Sequence, residues 1–317
     1  MSVDLKFNEQ GTFKIVQFTD MHFGDDKEED RVKDGKTAAL IERIISEEKP
    51  DLIVLTGDMI WSHGVPDPKA SFRRAIAPVV ASGLPWAAVF GNHDAEAGVT
   101  REELLDIQQQ YETCLSVAGP ADIHGTGNYV LTVRGSGAEG GAEALALYFF
   151  DSGINAPEPI GGYAWIHPDQ VNWYTRQARQ LAERAGTGIG AGAGAGEEAG
   201  FPLPALAFFH IPVPEYDEVW NAGQATGTKE EKVECPKINT GLFGAMVHMG
   251  DVMGAFVGHD HDNDYCGTLH GIRLCYGRVT GYNCYGKLQR GARVIRLTEG
   301  KRDFETWIVE ADGGIGR

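Results

Sequence analysis

Gly91-Asn92-His93-Asp94 sets an amide, an imidazole and a carboxylate on three successive residues. An apolar run, Trp86-Ala87-Ala88-Val89-Phe90, precedes it and reads as a buried strand. The polar turn therefore falls at the carboxyl end of a strand, where open α/β sheets place their ligand sites. Asn92 can offer a neutral oxygen to a cation, and His93 can carry a proton. Four other stretches have the same character: Asp20-Met21-His22, Gly57-Asp58, His210, and Gly258-His259-Asp260-His261.

Together they supply two carboxylates, one amide and four imidazoles: Asp20, Asp58, Asn92, His22, His210, His259 and His261. Mixed nitrogen and oxygen donors suit manganese and iron, with zinc, cobalt or nickel as substitutes, and do not suit calcium or magnesium. If one carboxylate bridges, the set is enough for two ions, each keeping a position for water. Two dications against two carboxylates leave a net positive site that fits a phosphate anion. Such a pair activates water and clamps the oxygens of an in-line displacement at phosphorus. His93 then stands as the general acid for the leaving oxygen, with Asp94 expected to orient its ring. Each piece alone has an ordinary reading: Asp-x-His as a hydrogen-bonded turn, Gly-Asp as a helix cap, His210 as a core histidine. Their joint occurrence, each after a strand, carries the argument.

The elements that must position these groups follow from the hydrophobic pattern. Residues 13–19, 52–55 and 86–90 read as strands. Residues 36–47 and 69–81 read as helices between them, with Leu40, Ile41, Ile44 and Ile45 at helical spacing. Acidic residues 25–30 read as a solvated loop. Asp20, Asp58 and Asn92 are spaced by roughly 35 residues, matching one parallel crossover unit each. Right-handed crossovers bring all three strand ends to one rim. Farther on, 128–133, 144–150, 205–209 and 252–257 read as strands, and Pro168 opens a helix with a stripe at Val171, Tyr174, Ala178, Leu181 and Ala185. Residues 241–249 read as a helix. The segment 186–200, with its Gly-Ala repeats, reads as a flexible surface loop. The C-terminal strands, at 272–276, 293–297 and 304–309, alternate more and are expected to form a second, largely antiparallel sheet. Asp20 and His22, and likewise His259 and His261, are expected to share a face by lying on extended backbone.

Composition sets limits. The chain has 317 residues, 42% apolar and 23% charged, as in an ordinary globule, and one domain over 1–317 is expected. The formal charge of −17 repels nucleic acid and anionic membranes, so neither is an expected partner. No apolar run is long enough to cross a bilayer and no secretory signal is visible. The five cysteines lack a C-x-x-C pair and read as reduced thiols of a cytoplasmic protein.

With these residues in hand, the chain resembles the calcineurin-like metallophosphoesterase superfamily, which shows Asp-x-His, Gly-Asp, Gly-Asn-His-Asp/Glu, a lone His and Gly-His-x-His in this order. It resembles most the purple-acid-phosphatase-like branch, on Phe208-Phe209-His210-Ile211-Pro212, the stretch from Gly258 to Gly267, and Gly281-Tyr282-Asn283-Cys284-Tyr285-Gly286-Lys287. The resemblance implies a four-layer α/β/β/α sandwich of two mixed sheets flanked by helices. It implies that Asp20, His22, Asp58 and His261 hold one metal, and Asp58, Asn92, His210 and His259 the other. The expected activity is hydrolysis of phosphomonoesters, on a phosphorylated small molecule or phosphoprotein, by a metal-bridging hydroxide with His93 as general acid. A phosphodiesterase with the same centre, or a non-catalytic protein-binding scaffold, is the alternative. Trp61 stands where purple acid phosphatases carry a ligand tyrosine, and indole cannot replace a phenolate, so no purple colour is expected. Asn155, Tyr163, Glu215, Asn239, Asp264 and Tyr282 are the polar loop residues available to line a substrate pocket.

Overall fold

The computed structural model describes residues 4–137, 141–189 and 201–316. The first part alternates β1 (Thr12–Phe18), α1 (Glu28–Glu48), β2 (Leu52–Thr56), α2 (Pro68–Ala81), β3 (Trp86–Val89) and α3 (Arg101–Gln108). Then follow β4 (Tyr129–Arg134), β5 (Glu143–Phe149), α4 (Pro168–Ala185), β6 (Ala205–Phe208), α5 (Glu215–Asn221), β7 (Ala225–Thr226), α6 (Leu242–Met249) and β8 (Val252–Val257). The chain ends in β9 (Cys266–Leu269), β10 (Ile272–Tyr276), β11 (Gly291–Thr298), β12 (Phe304–Glu310) and β13 (Ile315–Gly316).

Two mixed sheets result, in the orders β13-β12-β11-β1-β2-β3 and β4-β5-β6-β8-β10-β9-β7. Alternation along the strands explains why they stack. Phe13, Ile15, Leu52 and Val54 of the first sheet meet Leu147, Phe149, Phe208 and Phe256 of the second in a shared inner core. Their neighbours Val16, Phe18, Ile53 and Leu55 face outward onto Leu40, Ile44, Phe72 and Ile76 of α1 and α2. On the far side Tyr148, Ala205 and Ala207 pack against Tyr174, Leu181 and Met246 of α4 and α6. Side chains that alternate between two apolar environments require a covered sheet on each side, and the outcome is the α/β/β/α sandwich.

Register sets the site. Phe18 pairs with Leu55, and Thr56 with Val89, in parallel ladders. Residues 20, 58 and 92 therefore emerge at the same level of the first sheet. In the second sheet Phe208 pairs with Phe256, which brings His210 beside Gly258.

Several expectations are corrected. The C-terminal strands do not form a sheet of their own. β10 joins the second sheet beside β8, while β11 pairs antiparallel with β1 and carries β12 and β13 into the first. Apolar alternation marks a strand but not its partner. Helix α1 begins at Glu28, so Glu28, Glu29 and Asp30 form its first turn, where carboxylates complement the helix dipole. α3 and α5 lie outside the helices the hydrophobic pattern predicts, being only eight and seven residues long. The five cysteines are not all thiols: Cys266 and Cys275 face each other across the β9–β10 ladder and form a disulfide. A nine-residue separation hides a directly opposed cross-strand pair. Gly186 closes α4 in the left-handed conformation, and residues 190–200 of the expected loop lie outside the described residues. No helix among the described residues is long and apolar enough to cross a membrane.

Candidate metal centre

All seven donor residues named from the sequence converge between the carboxyl ends of the two sheets, and all seven are buried. The two carboxylates are held first. Asp20 accepts the Thr19 hydroxyl at 2.7 Å and the backbone N–H of His259 at 3.0 Å, tying the first sheet to the second. Asp58 accepts the backbone N–H of His93 at 2.8 Å through Oδ1, leaving Oδ2 to face the imidazoles.

The imidazoles are aimed by their outer nitrogens. His210 donates Nδ1 to the carbonyl of Thr56 at 2.7 Å, and His261 donates Nδ1 to the carbonyl of Tyr285 at 3.1 Å. That assignment leaves both Nε2 lone pairs pointing inward, the arrangement that outer hydrogen bonds impose on metal-ligating histidines. Nε2 of His210 lies 3.1 Å from Oδ2 of Asp58 and 3.2 Å from Oδ1 of Asn92. Nε2 of His22 lies 3.6 Å from Oδ2 of Asp58, and Nε2 of His261 lies 3.4 Å from Oδ1 of Asp20. Three overlapping donor groups result: Asp20, His22 and Asp58; Asp58, His210 and His259; His22, His261 and Cys284.

Two features test whether cations fit. Nε2 of His259 is buried and has no hydrogen-bond partner, a state that costs roughly 1–3 kcal/mol unless something binds it. Nε2 of His22 and Nε2 of His261 face each other at 3.3 Å, and two inward lone pairs at that separation call for a proton or a cation between them. The donor set fits two transition-metal ions, with Asp58 common to two of the groups.

Electrostatics agree with the geometry. Burial draws His22 down to about 3, and burial with the charge of His210 does the same to His259, so both are neutral donors at pH 7. Burial would also lower His210, but the charge and hydrogen bond of Asp58 outweigh it and raise it to about 9. Burial would raise Asp20, yet the hydrogen bond and charge of His261 bring it down to about 2. His261 is itself raised, with burial overcome by Asp20. Without metal, protons on His210 and His261 occupy the cationic role.

The backbone departs from the expected one. Asp20, His22, Asp58 and His259 have φ of 54°, 47°, 50° and 80°. Neither Asp20–His22 nor His259–His261 is an extended pair on one pleat. Left-handed turns at the strand ends converge the side chains instead, and the N–H of Asp260 bonds the carbonyl of Gly258 at 3.0 Å within such a turn.

The role expected of Asp94 is corrected too. Its oxygens accept four backbone N–H groups, from Asp58, Met59, Ile60 and Gly91, at 2.8–3.1 Å. Burial and the charge of Asp58 push its carboxyl up to about 7. Asp94 staples the two metal-site turns together and does not orient His93. Glu96 is the carboxylate nearest the ring: its Oε2 lies 2.8 Å from Nδ1 of His93, without the alignment of a hydrogen bond. The N–H of Glu96 in turn bonds Oγ of Ser62, whose hydroxyl donates to the carbonyl of His93. Cys284, one of the cysteines that read as a reduced thiol, also belongs to the site. An acid three residues past a turn, or a cysteine beyond the last motif, has no spacing that would have marked it. Of the polar loop residues considered for the pocket, Tyr163 lines the cavity above these donors; Asn155, Glu215, Asn239, Asp264 and Tyr282 do not.

Comparison with known proteins gives the same direction. The calcineurin-like phosphoesterase family matches residues 13–263. The Arabidopsis thaliana protein called "Probable inactive purple acid phosphatase 29" is 36% identical over 322 residues, covering 96% of this chain and 81% of the relative. "Probable inactive purple acid phosphatase 28" of the same plant is 38% identical, covering 96% and 80%. "Phosphatase DCR2" of Saccharomyces cerevisiae is 32% identical, covering 96% of this chain and 54% of the yeast protein. Among solved structures, a dimetal phosphatase from Danio rerio shares the fold, with a TM-score of 0.56 at 14% identity over 93% of this chain and 98% of that one.

Proposed function

The chain belongs to the calcineurin-like phosphoesterase family, and from that premise we propose that it is a dinuclear, metal-dependent phosphomonoesterase. The observation that carries the reading is the pair of donor groups sharing Asp58, with the unpartnered Nε2 of His259 in one of them. Asp20, His22, Asp58 and His261 would hold one ion and Asp58, Asn92, His210 and His259 the other. Manganese or iron suits the donors best, with zinc, cobalt or nickel as substitutes. When bound, the two ions supply Lewis acidity toward the phosphoryl oxygens and toward water.

The chain's own part is positioning and proton transfer. His93 lines the cavity over the donors. With Nδ1 against Glu96, its Nε2 is the atom free to give a proton to the departing alkoxide. A proton delivered there is worth roughly 10²–10⁴ in rate. The substrate is a phosphorylated small molecule or a phosphoprotein; the charge of −17 disfavours nucleic acid and anionic membranes.

The names of the two plant relatives favour a second reading, a metal-binding protein that does not hydrolyse. Against it stands the complete donor set with His93 beside it. Metal analysis with turnover of p-nitrophenyl phosphate and its bis-ester decides. Two ions per chain and faster monoester cleavage are expected. Faster diester cleavage makes it a phosphodiesterase, and two ions without turnover establish the non-hydrolytic reading.

A further inference from the structure

The cavity over the donors, about 420 Å³, has a floor and a wall of different chemistry. His22, Asp58, His93, His259 and His261 form the floor. The wall carries three aromatic rings, Trp61, Tyr163 and Tyr285. A phosphoryl group needs only the floor, so the wall meets whatever the phosphate is attached to.

The rings are unusual in this chain because two of them are exposed. Trp61 is 46% exposed and Tyr285 57%; among the described aromatic residues only Phe201 shares that state. Each ring has protein contacts on one side. The indole of Trp61 lies over Gly64, where a Cβ would come within 2.5 Å of Cε3. Tyr285 stacks on His261, with centroids 4.0 Å apart and planes at 17°, and its hydroxyl donates to Glu231 at 2.9 Å. One face of that ring is covered, so its exposure is on the other. Tyr163 sets its ring edge-on to His259 at 4.3 Å. Rings already ordered lose little entropy when a planar partner stacks on them.

We propose that the substrate carries an aromatic ring on the alcohol side of its phosphoester, within one or two bonds of the ester oxygen, and that Trp61 and Tyr285 bind it. Aryl and benzylic phosphates, including a phosphotyrosyl side chain, are that class. This rests on the phosphoesterase reading for its metal floor, and the test separates the two.

Benzylphosphonate and cyclohexylmethylphosphonate are similar in size and charge and differ in aromaticity. Calorimetry on the metal-loaded protein should show benzylphosphonate binding roughly threefold to tenfold tighter, the range of one aromatic contact. Trp61→Ala should collapse the ratio toward one while affinity for methylphosphonate stays, and Trp61→Phe should keep most of it. Equal affinities in the natural protein, or an equal loss for both ligands in Trp61→Ala, overturn the proposal. Hydrolysis of benzyl and cyclohexylmethyl phosphate is the second arm, since their leaving alcohols are of similar basicity. If neither ester is cleaved while the binding ratio persists, the phosphoesterase reading falls and the ring site stands. If both are cleaved at equal kcat/KM and both phosphonates bind equally, the ring site falls and the reading stands. The rate for a phosphotyrosyl peptide over that for free phosphotyrosine tells a protein source of the ring from a small-molecule one.

Discussion

In the proposed reaction His93 and Glu96 would act as one unit, the carboxylate lying 2.8 Å from Nδ1 and leaving Nε2 as the proton-donating nitrogen. His93→Ala should keep both metals and lose turnover by roughly 10²–10⁴ on an alkyl phosphate. The loss should be smaller on p-nitrophenyl phosphate, whose leaving group needs little protonation. Glu96→Gln should lower kcat by about tenfold with KM and metal content unchanged, since it touches only the proton donor. Steady-state kinetics over the two leaving groups checks both; equal losses on the two substrates would remove His93 from proton transfer. At this scale the donors were legible because residue type and position after a strand both mattered. Asp94 was misassigned for a physical reason: adjacency in sequence says nothing about where a side chain turns, and its carboxylate found four backbone N–H groups nearer than the ring. Glu96 could not be singled out among the acids of a loop.

Strand ends bent into left-handed turns assemble the centre at the scale of elements. Among the described residues, four of the six non-glycine residues with positive φ are Asp20, His22, Asp58 and His259. Each such turn costs of order 1 kcal/mol or more, and the packing around it sustains it. Gly91 is one such support: a Cβ there would overlap Oδ1 and the backbone nitrogen of Asp58. Gly91→Ala should therefore lower stability by roughly 1–3 kcal/mol and drop the metal content below two per chain. Gly244→Ala is the matched control. It lies inside α6 with open space around its Cβ position, and should gain about 0.5–1 kcal/mol. Thermal melts and metal analysis of both variants read the contrast, and a metal-replete Gly91→Ala protein would show that Asp58 does not depend on that contact. The β-α-β-α-β half was legible because its apolar runs are continuous and its crossovers have one hand. The placement of β10, β11 and β12 was not, since an alternating strand fits any free edge and the open edge of β1 exists only once the sheet is built.

At the scale of the molecule the candidate metal centre links pH to stability, and the sign of its histidine contribution follows from the four imidazoles. In the metal-free protein His210 sits at about 9, above its ordinary 6.5, and His261 is raised as well. Their contribution is fully present below pH 6.5 and is lost as pH rises through about 9. His22 and His259 sit at about 3, so theirs is present above 6.5 and fades as pH falls toward 3. The imidazole contribution in the metal-free protein should thus be greatest near pH 6.5, while Asp94, raised to about 7, loses its own as pH climbs from about 4 to about 7. If the proposed ions bind, all four imidazoles would be neutral donors, and metal affinity should rise with pH because ligation would release the protons of His210 and His261. The gap in melting temperature between manganese-loaded and EDTA-treated protein should therefore widen from pH 6.5 to pH 9. Calorimetric titration of manganese at pH 7, repeated in buffers of different ionisation enthalpy, should record about two protons released when both sites fill. A constant gap across that range, together with no proton release, would mean that the buried imidazoles do not bind the metal, and the acidic field of −17 would then be drawing cations to some other surface.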